Sequence, residues 1–207
     1  MRHSSILLLV LVALPAMAGP PAVCWQVKIG KAKSLPWGGG ELEARKDYDA
    51  RRVVKDALEL LAPGMPVLVR METIRRAAIY IDISAASQDA LLKALMLRVL
   101  DAEALGKPSA LAWFDAGYAM GLFRHFQQFG REGYPWVRKA LKIRRTDAEM
   151  EYACAILTVT GKKETFLHHL GKAAEGAKQN PLLKRNLEVL RKRYPPVLRY
   201  FEKRKKG

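Results

Sequence analysis

The chain has 207 residues, with 36 lysines and arginines against 20 aspartates and glutamates, which gives a formal net charge of +16 at pH 7. Half of the residues are hydrophobic and 27% are charged, a composition that excludes an intrinsically disordered chain. Two cysteines exclude a small domain held together by many disulfides, and 15 glycines with 11 prolines exclude collagen-like and low-complexity classes.

Residues 1–18 have the pattern of a secretory signal peptide. Arg2 and His3 precede an apolar run over residues 6–14, and Ala16-Met17-Ala18 forms a small-x-small cleavage pattern. The run is too short for a membrane-spanning helix, and no later stretch has enough consecutive apolar residues for one. We therefore expect export to the periplasm or the exterior, cleavage near Ala18 and no transmembrane span in the mature chain. The alternatives are an uncleaved anchor or a buried helix.

Residues 19–40 predict an irregular N-terminal arm, because Gly19-Pro20-Pro21 begins the segment and Trp37-Gly38-Gly39-Gly40 ends it. Within it, residues 24–29 fit one short strand along the surface. The arm also carries Cys24, and an oxidising compartment would allow Cys24 to form a disulfide with Cys154. The alternative is that Cys154, in a run of small and aliphatic residues, is a buried free thiol.

From residue 41 onward the apolar residues recur with the period of a helix, so we predict a mostly α fold of about eight helices. We place this helical domain at 41–196 and a basic tail at 197–207. Residues 71–83 fit a helix or a strand, and the helical context favours a helix. The other predicted helices are 41–62, 88–104, 110–129, 134–144 and 147–159, one after Gly161 and one from Pro181.

Several local signals mark where these helices begin, end and meet. Ser87 and Ser109 are candidate N-caps, and Thr146-Asp147-Ala148-Glu149 has the capping-box pattern. Gly117 and Gly121 lie one turn apart and predict the close approach of another helix. We expect the helices to form antiparallel hairpins, arranged as an irregular bundle or as a short solenoid-like array.

One seven-residue segment, Trp113-Phe114-Asp115-Ala116-Gly117-Tyr118-Ala119, is similar to the helix that carries the third zinc ligand in gluzincin metallopeptidases, where the pattern is Trp-x-x-Glu-Gly-x-Ala. Ala116 stands at the position of the ligand glutamate. Residues 90–105, in the place of the His-Glu-x-x-His helix, contain no histidine. The resemblance therefore implies no zinc site, and we expect neither a metal nor another cofactor.

Asp115, Tyr118 and His125 fall on nearly one face of the same predicted helix. Such a set can transfer protons when it lines a cleft. The alternative is that the three side chains are satisfied hydrogen-bond partners at a helix interface. They supply the second functional hypothesis, which is an enzyme of unknown reaction with its site at these residues.

The positive charge is concentrated in the C-terminal third, where residues 131–207 hold 20 basic and 8 acidic residues. The leading hypothesis is an exported, non-enzymatic interaction or scaffold protein whose basic C-terminal surface binds an anionic envelope polymer, lipid headgroups or an acidic protein. The basic run has no interleaved aromatic residues, so nucleic acid is not favoured. A solvated surface that only aids solubility is the other interpretation. The candidate binding residues are Lys184, Arg185, Arg191, Lys192, Arg193, Arg199, Lys203, Arg204, Lys205 and Lys206.

Overall fold

A computed structural model describes residues 22–81, 85–123 and 132–193. Within these ranges the protein is mostly helical, as the periodicity predicts, and it contains no strand. The predicted signal peptide at 1–18 and the basic tail at 197–207 lie outside the described residues. The α-helices are α1 (Val53–Leu60), α2 (Val67–Tyr80), α3 (Ala85–Ala104), α4 (Ala110–Leu122), α5 (Tyr134–Ile143), α6 (Ala148–Thr158), α7 (Lys163–Gly176) and α8 (Pro181–Arg193).

Residues 71–80 of the segment with the ambiguous pattern are helical and belong to α2, which begins earlier, directly after Pro66 at its N-cap. Residues 82 and 83 lie outside the described ranges. The first helical segment starts later than predicted. A short 3-10 turn at Ala50–Arg52 leads into α1, and Asp49 caps that turn by accepting a hydrogen bond from the Arg51 amide. The C-terminus of α4 also differs from the prediction, because this helix ends at Leu122 and not at residue 129. Of the predicted extension, residues 124–129 lie outside the described ranges.

The caps were predicted with mixed success. Ser109 does cap α4, accepting a hydrogen bond from the Ala112 amide at 3.2 Å. The prediction of Ser87 as an N-cap was wrong, because α3 already begins at Ala85. The capping box was also wrong: Asp147, and not Thr146, accepts hydrogen bonds from the first amides of α6. The Glu149 carboxylate instead accepts hydrogen bonds from the Leu68 amide and from the Asn180 side chain.

Most helices that follow one another in sequence pack together, as hairpins would, but α3 packs mainly on α1 and α4 and not on α2. Helices α2 and α4 lie at the centre. The two central helices contact each other and both contact α6. In addition, Lys28 near the start of the described chain is hydrogen-bonded to Asn186 of α8. A solenoid keeps its two ends apart, because each repeat contacts only its neighbours. The contact therefore favours a bundle over a solenoid-like array.

The close approach predicted from the glycines occurs between α4 and α5. A Cβ atom at Gly117 would lie 2.6 Å from Trp136 Cβ and 2.8 Å from the Val137 nitrogen. One at Gly133, just before α5, would overlap the Gly117 carbonyl oxygen. Gly121 faces Leu157 of α6. These glycines let the backbones of α4 and α5 meet without intervening side chains.

The predicted short strand at residues 24–29 was wrong, because this part of the N-terminal arm forms no strand, and one side of it is buried while residues 30–33 are exposed. Trp25, Val27, Ile29 and Leu35 are all buried. Backbone groups of the arm are hydrogen-bonded by side chains of helices α2 and α8 and not by a neighbouring strand. Glu72 of α2 accepts from the Val27 amide at 3.0 Å. Asn186 of α8 bonds both the amide and the carbonyl of Lys28, at 2.7 and 2.8 Å.

The predicted Cys24–Cys154 disulfide is absent, since both cysteines are free thiols in the described structure. Cys24 ends a 3-10 turn, Ala22–Cys24, that packs on α2 and α4. Cys154 is fully buried in α6, and this burial raises the pKa of its thiol. The structure thus has Cys154 as the buried free thiol of the alternative interpretation. None of the helices in the described ranges is both long enough and apolar enough to cross a bilayer.

Candidate functional site

Asp115, a candidate of the enzyme hypothesis, is buried in the centre of the bundle. Its carboxylate is paired with the guanidinium group of Arg70 on α2. Arg70 is itself buried and also donates to the backbone carbonyls of Leu61, Ala62 and Met65. Burial raises the pKa of Asp115, and the charge of Arg70 opposes that shift. Asp115 therefore joins α2 to α4 and has 1% of its surface exposed to solvent.

Tyr118, the second candidate, is fully buried and stacks on Phe114 with ring centroids 5.6 Å apart. Within the described residues its hydroxyl has no hydrogen-bond partner. Burial raises the pKa of that hydroxyl. The third candidate, His125, lies outside the described residues. Neither Asp115 nor Tyr118 is therefore open to a substrate from solvent in the described part of the structure.

The predicted basic surface is represented in the described structure by the outer face of α8. Leu183, Asn186, Leu187 and Leu190 are buried, so the helix is anchored on one side. Lys184, Arg185, Lys192 and Arg193 are exposed on the other side, and Arg191 is partly exposed. Arg193 pairs with Glu41. The remaining candidates, Arg199, Lys203, Arg204, Lys205 and Lys206, lie outside the described residues.

A shallow groove of about 310 Å³ lies where α7 and α8 meet, next to these cations. Its floor is apolar and its rim carries Lys178, Lys184 and Arg191 with one carboxylate, Glu188. No carboxylate of the described residues is within ion-pair distance of Lys184, Arg185, Arg191 or Lys192. These cations are therefore available to attract an anionic partner from solvent.

A second and larger cleft, of about 690 Å³, lies between α5 and α7 over the N-terminal half of α6. Four cations and two carboxylates line it, together with two histidines and a tyrosine. Sequence reasoning did not identify this cleft. The lining residues are Tyr134, Arg138, Leu141, Lys142, Arg145, Thr146, Glu151, Glu164, Thr165, His168, His169 and Lys172.

Three helices contribute one side chain each to a chain of hydrogen bonds in this cleft. The Tyr134 hydroxyl lies 2.8 Å from His169 Nε2, and His169 Nδ1 lies 2.5 Å from Glu151 Oε2. The other oxygen of Glu151 is 3.4 Å from Lys172 Nζ. His169 and Glu151 are 5% and 6% exposed, whereas Tyr134 is half-buried and reaches the cleft.

The carboxylate of Glu151 determines how the His169 ring is protonated. An ionised carboxylate only accepts hydrogen bonds, so Nδ1 carries a proton and Nε2 of the neutral ring accepts one from Tyr134. Burial favours the neutral form of Glu151. The hydrogen bonds and charges of His169 and Lys172 outweigh this and hold the pKa of the carboxyl below its usual range.

One signal in the sequence pointed to this arrangement. His169 falls three residues after Phe166 and four before Ala173, on the apolar stripe that α7 buries. A buried histidine needs hydrogen-bond partners, so the pattern indicated a polar contact there. The partners could not be named, because Glu151 and Tyr134 lie on other helices and no sequence spacing relates them to His169.

Comparisons with protein-family models, with curated proteins and with solved structures each gave no match. The segment that is similar to a gluzincin zinc helix lies in α4, where Ala116 is buried among apolar side chains. Across residues 22–81, 85–123 and 132–193, no three His, Cys, Asp or Glu side chains are grouped so as to hold a metal ion.

Proposed function

We propose that the protein is an exported, non-enzymatic interaction protein that binds an anionic envelope component through a basic C-terminal surface. That surface consists of the outer face of α8 and the basic tail that follows. The observation that carries the proposal is the division of α8 into a buried apolar side and an exposed cationic side. Since the inner side is packed on the bundle, the cations are held on a firm support.

The charge of this surface supports a polyanion as the partner. A single exposed ion pair contributes little, because water and salt screen it. Several cations on one face act together on a partner that carries many negative charges. Near an anionic membrane surface, each lysine or arginine contributes roughly 1 kcal/mol. The last turn of α8 is also the negative end of the helix dipole, which favours the cations placed there.

The test is binding to vesicles of anionic phospholipid and to a purified anionic wall polymer, over a series of salt concentrations. We expect affinity to fall steeply with salt. In the triple variant Lys184→Gln, Arg185→Gln, Lys192→Gln it should fall on the order of 100-fold, because three cations at roughly 1 kcal/mol each are lost. The matched control is Lys31→Gln, Lys33→Gln, Lys107→Gln, which removes the same charge from exposed residues elsewhere.

The two triple variants separate the α8 surface from net charge. An equal loss of affinity in both triple variants would contradict a role of α8. An affinity that does not change with salt concentration would contradict electrostatic recognition. Binding to poly-glutamate but not to vesicles or wall polymer would identify an acidic protein as the partner instead. An unchanged melting temperature in both variants shows that folding is not the cause.

Export has its own test, the intact mass of the protein made with its own N-terminus in an exporting host. Loss of residues 1–18 is the expected result, and an uncut chain would contradict export. Mass measured with and without reductant also reports on Cys24 and Cys154. Two free thiols predict the same mass in both samples.

A further inference from the structure

We propose that the cleft between α5 and α7 is a proton-linked binding site for a phosphoryl-type tetrahedral oxyanion. In this proposal a proton binds to His169, and the Tyr134 hydroxyl then becomes free to donate a hydrogen bond to the oxyanion. The cleft lies on other helices than the α8 surface. The inference therefore goes beyond the proposed function and does not depend on it.

The charge of the cleft suits an oxyanion. Arg138, Lys142 and Arg145 line it, and within the described residues no carboxylate is within ion-pair distance of any of the three. The guanidinium carbon of Arg138 lies over the Tyr134 ring, 5.9 Å from its centre, and the charge of Arg138 acts on the Tyr134 hydroxyl. Guanidinium groups offer several donors in one plane and bind phosphoryl oxygens well.

The two carboxylates of the cleft do not cancel this charge. Glu151 is already bonded to His169 and to Lys172. Glu164 is exposed on the first turn of α7 and lines the rim. An oxyanion placed near Tyr134 therefore meets cations that have no anionic partner among the described residues.

The proton acts through the direction of one hydrogen bond. While His169 is neutral, Nε2 accepts the Tyr134 proton, and the hydroxyl donates inward. Once His169 is protonated, Nε2 donates to the Tyr134 oxygen instead, and the hydroxyl proton is free to donate to a ligand in the cleft. Protonation thus adds one positive charge and one hydrogen-bond donor. By linkage, oxyanion binding is tighter at low pH and takes up a proton.

The groups around His169 come from each of the three packed helices. Helix α6 contributes Glu151 and Cys154, α5 contributes Tyr134 and Arg138, and α7 contributes Lys172 and His168. Glu151 stays ionised and Cys154 stays a thiol near neutral pH, because their pKa values are lowered and raised respectively. His168 is exposed and adjoins His169 in the chain, with ring centroids 5.2 Å apart. It is the group that a control must separate from His169.

The experiment is calorimetric titration of the full-length protein with inorganic sulfate at about pH 5.5 and about pH 8, on either side of an ordinary histidine titration. Sulfate keeps its charge over this range, so any change in affinity comes from the protein. We expect binding to be roughly tenfold tighter at the lower pH. The variant His169→Gln should lose this dependence, and His168→Gln, the matched control, should keep it.

Tyr134→Phe gives a second test that removes one hydroxyl and leaves the ring. We expect it to weaken sulfate binding at the lower pH and to change it little at the higher pH. It also keeps the inference testable if His169→Gln fails to fold. Equal wild-type affinity at the two pH values, or a pH dependence in Tyr134→Phe as large as that of wild type, overturns the proposal.

The triple α8 variant described above distinguishes this site from the proposed function. It should retain sulfate binding in the cleft. A loss of sulfate affinity as large as that in Arg138→Gln would show general attraction to the basic protein and overturn the site.

Glycerol phosphate and phosphatidylglycerol vesicles then identify the source of the phosphoryl group. Competition with sulfate by the first indicates a soluble phosphomonoester, and competition by the second alone indicates a lipid headgroup. Competition by neither contradicts a phosphoryl ligand.

Discussion

Glu72 is a buried carboxylate that bonds the N-terminal arm to α2. It is fully buried and accepts hydrogen bonds from the Val27 amide and from the guanidinium groups of Arg75 and Arg76, at 2.7 to 3.0 Å. The same two guanidinium groups lie 4.9 and 5.5 Å from the ring of Trp37 in the arm. A buried group of charges stabilises a fold only while every member has its partners.

We therefore predict that Glu72→Gln lowers the free energy of unfolding by about 3–5 kcal/mol, since it leaves two guanidinium groups without their shared counter-ion. Urea denaturation followed by circular dichroism measures this. Glu59→Gln on α1 is the control, because the Glu59 side chain is 66% exposed and its contact with Lys55 is long. It should change stability by less than about 0.5 kcal/mol. Similar losses in both variants would contradict a special role for Glu72.

Glu151 gives stability a dependence on pH. Burial favours its neutral form, but His169 and Lys172 lower the pKa of the folded-state carboxyl below that of the unfolded chain. The ionised group therefore stabilises the fold above about pH 4.3, and this contribution is lost as the pH falls through the lowered folded-state pKa. We predict that Glu151→Gln is about 1–3 kcal/mol less stable at pH 7.

The same pair of proteins should converge in acid. As the pH falls below about 4, wild type loses the contribution of the carboxylate and the variant has none to lose. Denaturation curves for both proteins over a pH series measure the difference. A difference that stays constant down to the acid transition would mean that Glu151 is not the titrating group.

At the scale of elements, the crossing of α4 and α5 depends on Gly117. We predict that Gly117→Ala destabilises the protein by about 1–3 kcal/mol, because its Cβ would press against the backbone of α5 at Val137. Gly161→Ala is the control, since a Cβ there meets nothing closer than 3.4 Å. Thermal denaturation of the two variants compares them, and equal melting temperatures would contradict a tight crossing.

The helices could be predicted from the sequence because burial of one face of a helix imposes a period on apolar residues. Their boundaries were less well predicted, because they depend on which of several candidate side chains caps the helix. Thr146 and Asp147 both fitted the start of α6, and only the local geometry, with Thr146 at a φ of 64°, assigns the cap to Asp147.

The arm and the second cleft could not be predicted for a different reason. Val27 and Lys28 are held by Glu72 and Asn186, and Tyr134 is held by His169, through contacts between residues 35 to 158 positions apart. Such pairs leave no local pattern. The α8 cations were visible because a helix places its charges on one face without help from other segments.

At the scale of the whole molecule, Asn186 connects the two ends of the described chain. It is fully buried, accepts from the Lys28 amide and donates to the Lys28 carbonyl. We predict that Asn186→Ala costs about 1–3 kcal/mol and leaves the Lys28 backbone groups unpaired. Hydrogen exchange should show faster exchange at the Lys28 amide, with Glu188→Ala, an exposed neighbour on α8, as control. Unchanged exchange at Lys28 would contradict the contact.

The same contact has a consequence for the order in which the chain is made. Synthesis runs from the N-terminus, so the arm exists long before the helix that binds Lys28. Trp25, Val27 and Leu35 can first reach α2, but the arm stays without its last partner until residue 186 has been added. On a nascent chain the amide and carbonyl of Lys28 therefore stay without their final partner for most of synthesis, open to contacts with other proteins. Completion of the core is an event that follows translation.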